Sequence, residues 1–386
     1  MTQFDIKTFL ENGAFVRNSD GQFYLWSGLV SGEALKPQEN QIIVESSGVQ
    51  CMDFFAQHLQ TVGIGQCICL SAAEFLSAID SAGSTAGKAQ DFADDHFVKN
   101  DFAEPEKQSF EDSFLEIQKQ IQSNHLLKAV PIVFARSKKI PSIENRRQML
   151  LSLLVKSDLK TSGLSAEQIY PFGFWCQSFG IIGATPEVLF YRQGEQIQTM
   201  ALAGTLPKKS MAANSEELFI KERFLQDPKE RHEHDLVVQD IVQRLKSLGE
   251  VKTEKTEVVS YPKLYHLRTW LSLNSKNHKI SEEKLTRTLH PTAALGCFPR
   301  QTSVGVNWFS KLPEQVNRGV FGAPIVFHFN SEKSLALVAI RNLLWDETGS
   351  RIGTGCGIVA SSQMEKEWQE LASKRDFVYD LLGIDS

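Results

Sequence analysis

The sequence predicts an α+β fold with largely antiparallel sheets. Short β-favouring runs recur along most of the chain, and tight turns join them. Helical segments lie between groups of these runs. Near the end, over residues 353–374 (GTGCGIVASSQMEKEWQELASK), a glycine-spaced run passes into a strongly helical stretch. Many strands on short turns with helices between them define this class.

Taken in order, residues 22–29, 41–44 and 66–70 read as strands, and residues 81–89 (SAGSTAGKA) as a small-residue loop. Gly87-Lys88 in that loop is not a phosphate cradle, because Ala89 stands where the G-x-x-x-x-G-K-[ST] pattern needs a hydroxyl. Phe110, Phe114, Ile117 and Ile121 fall at i, i+4, i+7 and i+11 and predict an amphipathic helix over residues 112–123. Residues 128–136 form a β-type run in which Pro131 marks an edge strand or a bulge. Strands follow at 172–175, 180–183, 187–191 and 196–202; from Ser215 the pattern is helical and charged; β-rich runs return at 323–329 and 335–345.

In the terminal stretch Gly353, Gly355 and Gly357 leave one strand face bare, so a ligand or another backbone can come close. On the helix behind them Glu367, Glu370 and Lys374 fall within a sector of about 60°. Leu371, Val378, Leu381 and Leu382 share that side, while Glu365, Gln369 and Asp376 point away. Glu370 and Lys374 fit either a surface i,i+4 pair, worth about 0.3–0.5 kcal/mol, or a site on a buried face, where carboxylates need a partner or a metal.

The 386 residues, 42% hydrophobic and 23% charged, have the profile of a soluble globular protein of one large domain or two. A net charge of −5 gives no reason to expect nucleic acid or an acidic membrane surface as partner. The start, MTQFDIKTFLENG, carries Asp5 and no long apolar run, unlike a secretion signal. No stretch approaches the roughly 20 apolar residues of a membrane helix. Cys51, Cys67, Cys69, Cys176, Cys297 and Cys356 match neither a disulfide framework nor a zinc site. Cys67 and Cys69 read as buried thiols, and the expected location is a reducing cytoplasm.

Several motifs can carry chemistry. Glu187 closes GATPE (183–187) and leads into an apolar strand, which suits a general acid of raised pKa, although the residues by themselves favour a turn-capping carboxylate. In KERHEHD (229–235) the two histidines of H-x-H point about 200° apart on a helix and cannot easily share one ion. His234 lies among Val237, Ile241 and Leu245 and reads as a core histidine, with Glu233 at the edge of that face. Arg341, after VAI, can clamp a carboxylate or serve a structural ion pair.

GTGCGIV followed by EWQELASK resembles the C-terminal signature of the chorismate-utilising enzymes, which include isochorismate synthase, anthranilate synthase component I, aminodeoxychorismate synthase component I and salicylate synthase. GATPE, ALAGT (201–205), KERHEHD, LHPTAALG (289–296), RGVFGAP (318–324) and VAIR (338–341) resemble further motifs of that family. The resemblance covers about residues 105–384. It implies two stacked, largely antiparallel sheets flanked by helices, with a catalytic region over 105–386. Residues 1–104 match loosely and are assigned to the same compact unit.

The resemblance also implies a site. Glu370 and Glu233 would ligate Mg²⁺, with Glu367 as an outer partner, and such a hard ion keeps part of its hydration. Lys374 and Arg341 would hold substrate carboxylates, with backbone amides near Gly355 and Gly357. Gly204 and Thr205 would approach the substrate, Phe321 would form an apolar wall, and Glu187 would protonate the departing C4 hydroxyl. LHPTAALG resembles the isochorismate and salicylate synthases more than the amino-transferring relatives; His290, Ala294 and Leu295 would line the substrate, and the small Ala294 would leave room for water. Ala203 stands where aminodeoxychorismate synthases carry a nucleophilic lysine. Lys128, in K-A-V-P, would be the base, because a lysine lifted out of water beside other cations gives up its proton near neutral pH. The expected activity is thus Mg²⁺-dependent isochorismate synthesis from chorismate by a monomer or weak dimer. Salicylate synthase and a non-catalytic chorismate-binding or subunit-interaction protein are the alternatives.

Overall fold

The computed structural model describes residues 5–28, 47–56, 59–64, 66–83, 96–157, 169–176, 178–208, 214–261, 264–275, 280–300 and 305–384. Two large antiparallel sheets with flanking helices make up the molecule. The first has eight strands in the order Gln66–Leu70, Phe23–Ser27, Gly13–Arg17, Tyr170–Trp175, Gly180–Thr185, Asn342–Asp346, Gly349–Gly355 and Ile132–Ser137. The second runs Gly249–Thr253, Leu264–Ser275, Gln196–Pro207, Val188–Gln193, Lys333–Val338, Pro324–His328, Gly48–Cys51 and Gln60–Ile64, and Glu257–Ser260 also pairs with Leu264–Ser275.

Strand alternation builds the layers. In Pro324–His328 and Lys333–Val338, Ile325, Phe327, Leu335 and Leu337 join the core shared with the first sheet. Val326, Ala336 and Val338 join the opposite core, which packs against helices Lys107–Gln122, Pro228–Leu245 and Glu282–Leu289. Successive side chains of a strand face opposite ways, so one apolar run feeds two cores. Helices Ile6–Glu11, Ala72–Gly83 and Ile143–Ser157 and the end of Met364–Leu382 cover the first sheet.

The structure corrects several sequence expectations. The amphipathic helix starts at Lys107, before residue 112, and runs to Gln122. Ser81–Gly83 close a helix instead of opening a loop, and residues 84–89 and 41–44 lie outside the described residues. The run at 335–345 is two strands in different sheets, so Arg341 does not end a strand: it sits in the crossing between them, with φ 56°. Pro131 splits the 128–136 run. Lys128–Ala129 pairs with Cys297–Phe298 in a separate small sheet, and Ile132–Ser137 edges the first large sheet. Cys69 is exposed and Cys67 half-buried on an edge strand, and all six cysteines are free thiols. Among the described residues no helix is long and apolar enough to cross a membrane.

Candidate active site

Two crossings between the sheets lie side by side and aim the first functional groups. One runs from Gly180–Thr185 through Pro186-Glu187 into Val188–Gln193; the other runs from Lys333–Val338 through residues 339–341 into Asn342–Asp346. Val338 N donates to Glu187 O (3.1 Å) and Ala184 N to Arg341 O (3.2 Å), which locks the crossings together. Glu187 and Arg341 therefore face one cleft, a cavity of about 70 Å³ that is part-open to solvent. Its walls also carry Gly204, Thr205, Glu233, Ala294, Leu295, Phe321, Gly355, Gly357, Glu370 and Lys374.

Local geometry explains the glycines. At Gly204 (φ 78°) the strand register shifts, and the chain turns Thr205 into the cleft. A Cβ on Gly357 would collide with Glu233 Oε1 and lie 2.7 Å from Lys128 Cε, so only glycine lets that ion pair press against the backbone. Lys128 is wholly buried, with its Nζ 3.0 Å from Glu233 Oε1.

Two helices bring four buried or nearly buried carboxylates together. Asp227 caps helix Pro228–Leu245, and Glu230 and Glu233 project from its first turns. Glu367 and Glu370 project from Met364–Leu382. Each carboxylate has a cation. Lys229 Nζ bridges Glu367 (3.0 Å) and Glu230 (3.1 Å), Lys128 pairs with Glu233, and Lys374 holds Glu370 at 2.5 Å while donating to Gly355 O at 2.8 Å. Among the described residues no three acidic, histidine or cysteine side chains converge as a ready metal cage. The donor chemistry nevertheless fits a hard divalent cation: the groups are carboxylate oxygens, and they repel one another.

The electrostatics record this crowding. Burial pushes the Glu187 carboxyl up to about 7, against the pull of Lys128, Lys374 and Arg341. Burial, together with Glu233, raises Glu230 to about 7, and burial with Glu370 raises Glu367. Glu370 itself is lowered, because Lys374 outweighs burial. Burial alone would lower Lys229, but Glu367, Glu230 and Glu233 reverse that and hold it well above its usual value. Burial draws the Arg341 guanidinium down to about 10. Among the described residues Arg341 has no ion-pair partner, which leaves it open to an anion.

Phe321 lines the cleft and packs edge-on to Phe134 at 5.6 Å. His234 is the core histidine the sequence suggested; its Nε2 lies 2.7 Å from Thr269 Oγ1. His290, by contrast, does not line the cleft. Its Nε2 meets Phe54 O at 2.8 Å, and its ring packs edge-on to Phe54 behind the wall. Sequence reasoning missed Lys229 and Glu230, although i,i+3 spacing puts Glu230 on the face of Glu233. It also missed His266, which touches Gly204 O (2.8 Å) and Thr205 Oγ1 (3.2 Å) and is held near 3 by burial. A histidine inside an apolar strand gives no sequence signal for such a role.

This fold and cleft define an enzyme-like site for a small anionic molecule. The family model described as chorismate binding enzyme matches residues 66–383, and the chain belongs to that family. Isochorismate synthase EntC of Escherichia coli K12 is 30% identical over 211 residues, 53% of this chain and 51% of that protein. Anthranilate synthase component 1 of Neisseria meningitidis serogroup C is 29% identical over 210 residues, 53% of this chain and 40% of that protein. The chain thus spans about half the length of the curated relatives it matches. The structure of MenF, the menaquinone-specific isochorismate synthase from Escherichia coli, superposes with a TM-score of 0.69 at 19% identity, covering 98% of this chain and 91% of that one, so the two share a fold.

Proposed function

We propose that the protein is an isochorismate synthase that converts chorismate to isochorismate with Mg²⁺. One observation carries this reading: across a single cleft, a buried arginine with no ion-pair partner among the described residues faces a buried carboxyl raised to about 7. A dicarboxylate whose ring hydroxyl must depart needs both a fixed cation and an acid still protonated at neutral pH. Arg341 and Lys374 hold substrate carboxylates. Glu187 gives its proton to the C4 hydroxyl as it leaves as water. Lys128 takes a proton from the water that forms the new C–O bond at C2. The small Ala294 in the opposite wall leaves room for that water.

Glu233 and Glu370 would hold Mg²⁺, with Glu367 and Glu230 behind them. Bound there, the ion would supply a hard positive charge that offsets these carboxylates and attracts an anionic substrate.

The test is incubation with chorismate, with and without Mg²⁺, and chromatographic resolution of products. Isochorismate that forms only with the metal is the expected result. Salicylate with pyruvate would move the protein to the salicylate synthase reading, and binding without turnover to a non-catalytic one. Full turnover after EDTA treatment would remove the metal from the mechanism.

Lys229 yields a prediction that needs no turnover. Its ammonium neutralises Glu230 and Glu367, the two carboxylates behind the ion's proposed ligands. A unit charge about 4 Å away contributes on the order of 4 kcal/mol at an effective dielectric of about 20. The carboxylates freed of Lys229 take up protons in part, which offsets most of that; about a third is expected to remain, and about 1.4 kcal/mol is tenfold in affinity. Lys229→Met is therefore expected to bind Mg²⁺ about tenfold more tightly by calorimetry. Weaker binding would show that Lys229 organises the carboxylates instead of competing for them.

A further inference from the structure

We propose that Arg318 is a positioning residue for this reaction: its guanidinium fixes the spacing between the wall that carries Lys128 and the wall formed by Ala294 and Leu295. The inference rests on the isochorismate synthase reading given above.

Arg318 is wholly buried, and among the described residues no carboxylate pairs with it. Its Nη1 donates to Leu295 O (2.9 Å) and its Nη2 to Val130 O (3.3 Å). Both acceptors belong to residues that line the cleft, and Val130 lies two positions after Lys128. The guanidinium plane thus spans the two walls from behind. A rigid fork of donors suits that task, and a flexible lysine cannot copy it. The two walls also meet along their backbones: Val130 N donates to Gly296 O (3.0 Å), and Lys128–Ala129 pairs with Cys297–Phe298.

A buried, uncompensated cation is costly, and burial lowers this one to about 9. Its support is aromatic. The guanidinium carbon lies 3.7 Å from the centroid of Phe54, a close cation–π contact, and 5.5 Å from that of Phe309. Phe54 is itself clamped: its carbonyl meets His290 Nε2, and its ring packs edge-on to His290 at 4.8 Å. This accounts for the place of His290 behind the wall. It braces the platform on which Arg318 lies. A group that only filled space would not need a cation here, and carbonyls from two adjoining walls would not need to share one side chain.

The test uses the full chain with Arg318→Ala and Arg318→Lys. It measures kcat for chorismate, calorimetric chorismate binding, thermal melting, and rescue by low millimolar methylguanidinium with methylammonium as control. A misplacement of about 1 Å costs about 10²-fold in rate. Arg318→Ala is expected to lose about that much kcat while binding chorismate within about threefold of wild type, and Arg318→Lys to fall between. Methylguanidinium is expected to restore at least about tenfold, and methylammonium nothing. A folded Arg318→Ala protein within about twofold of wild-type kcat overturns the proposal, as does a loss that guanidinium leaves untouched. Should Arg318→Ala fail to fold, Phe54→Leu keeps the arginine and removes its platform. A loss of about tenfold in kcat with binding intact is then expected, and unchanged kcat overturns the idea. Absence of turnover in the wild type defeats the functional reading instead, before any variant is compared.

Discussion

Replacing Glu187 by glutamine is expected to lower kcat for chorismate by about 10²–10⁴-fold, the usual worth of a general acid, with chorismate binding kept within a few-fold. Glu187 is 4% exposed and enters a strand directly from a turn that Pro186 fixes. Glutamine matches its shape and can still donate a hydrogen bond, but it has no proton to transfer. Its loss therefore falls on the transition state and not on binding. A glutamine variant within a few-fold of wild-type kcat would mean that the C4 hydroxyl leaves with help from elsewhere. Equal loss of rate and binding would make Glu187 a substrate anchor.

The same carboxyl sets a pH dependence. Burial raises it to about 7, and the acid form is the active one. The active fraction is full well below pH 7 and falls about tenfold per pH unit well above it. Wild-type kcat is thus expected to decline on the alkaline side, and the Glu187→Gln variant to lose that limb. A wild-type rate that keeps rising between pH 7 and 8.5 would remove Glu187 as the acid.

Much of this cleft is legible in the chain because its residues sit at breaks in strong patterns. Glu187 follows a proline at the entry to an apolar strand, and Gly353, Gly355 and Gly357 interrupt a run where side chains would otherwise collide. Glu367, Glu370 and Lys374 fall on the apolar side of their helix, where charge needs a reason. Other features lacked such a break. The apolar run at 335–345 contains no glycine or proline, so nothing in it announces that the chain changes sheets at Arg341; only the positive φ of that residue shows the crossing. His290 sits in a distinctive motif but serves Phe54, a residue 236 positions away, and no spacing rule reaches that far. Arg318 reads as one more charged residue before a glycine until the carbonyls of Val130 and Leu295 are seen to converge on it.

Lys128→Ala is expected to remove most of kcat, by roughly 10²–10⁴-fold, and to weaken chorismate binding far less. Pro131, three residues further on, has no side chain that can accept a proton. Lys138 and Lys139 lie past the far end of strand Ile132–Ser137, and Lys139 is engaged with Asp101 at 2.9 Å on the surface. Lys128 alone of these is enclosed by the cleft wall, beside Glu233 and close enough to Glu187 to be the strongest charge opposing its burial. The substitution also strips Glu233 of its counter-charge, which by itself destabilises a buried carboxylate. Thermal melting must therefore accompany the rates, with Mg²⁺ present to compensate Glu233. A folded variant that binds chorismate but turns over at less than about one hundredth of wild-type rate assigns the base. A variant within a few-fold of wild type means that water is activated by another group, and parallel losses of rate and binding make Lys128 an anchor for the substrate.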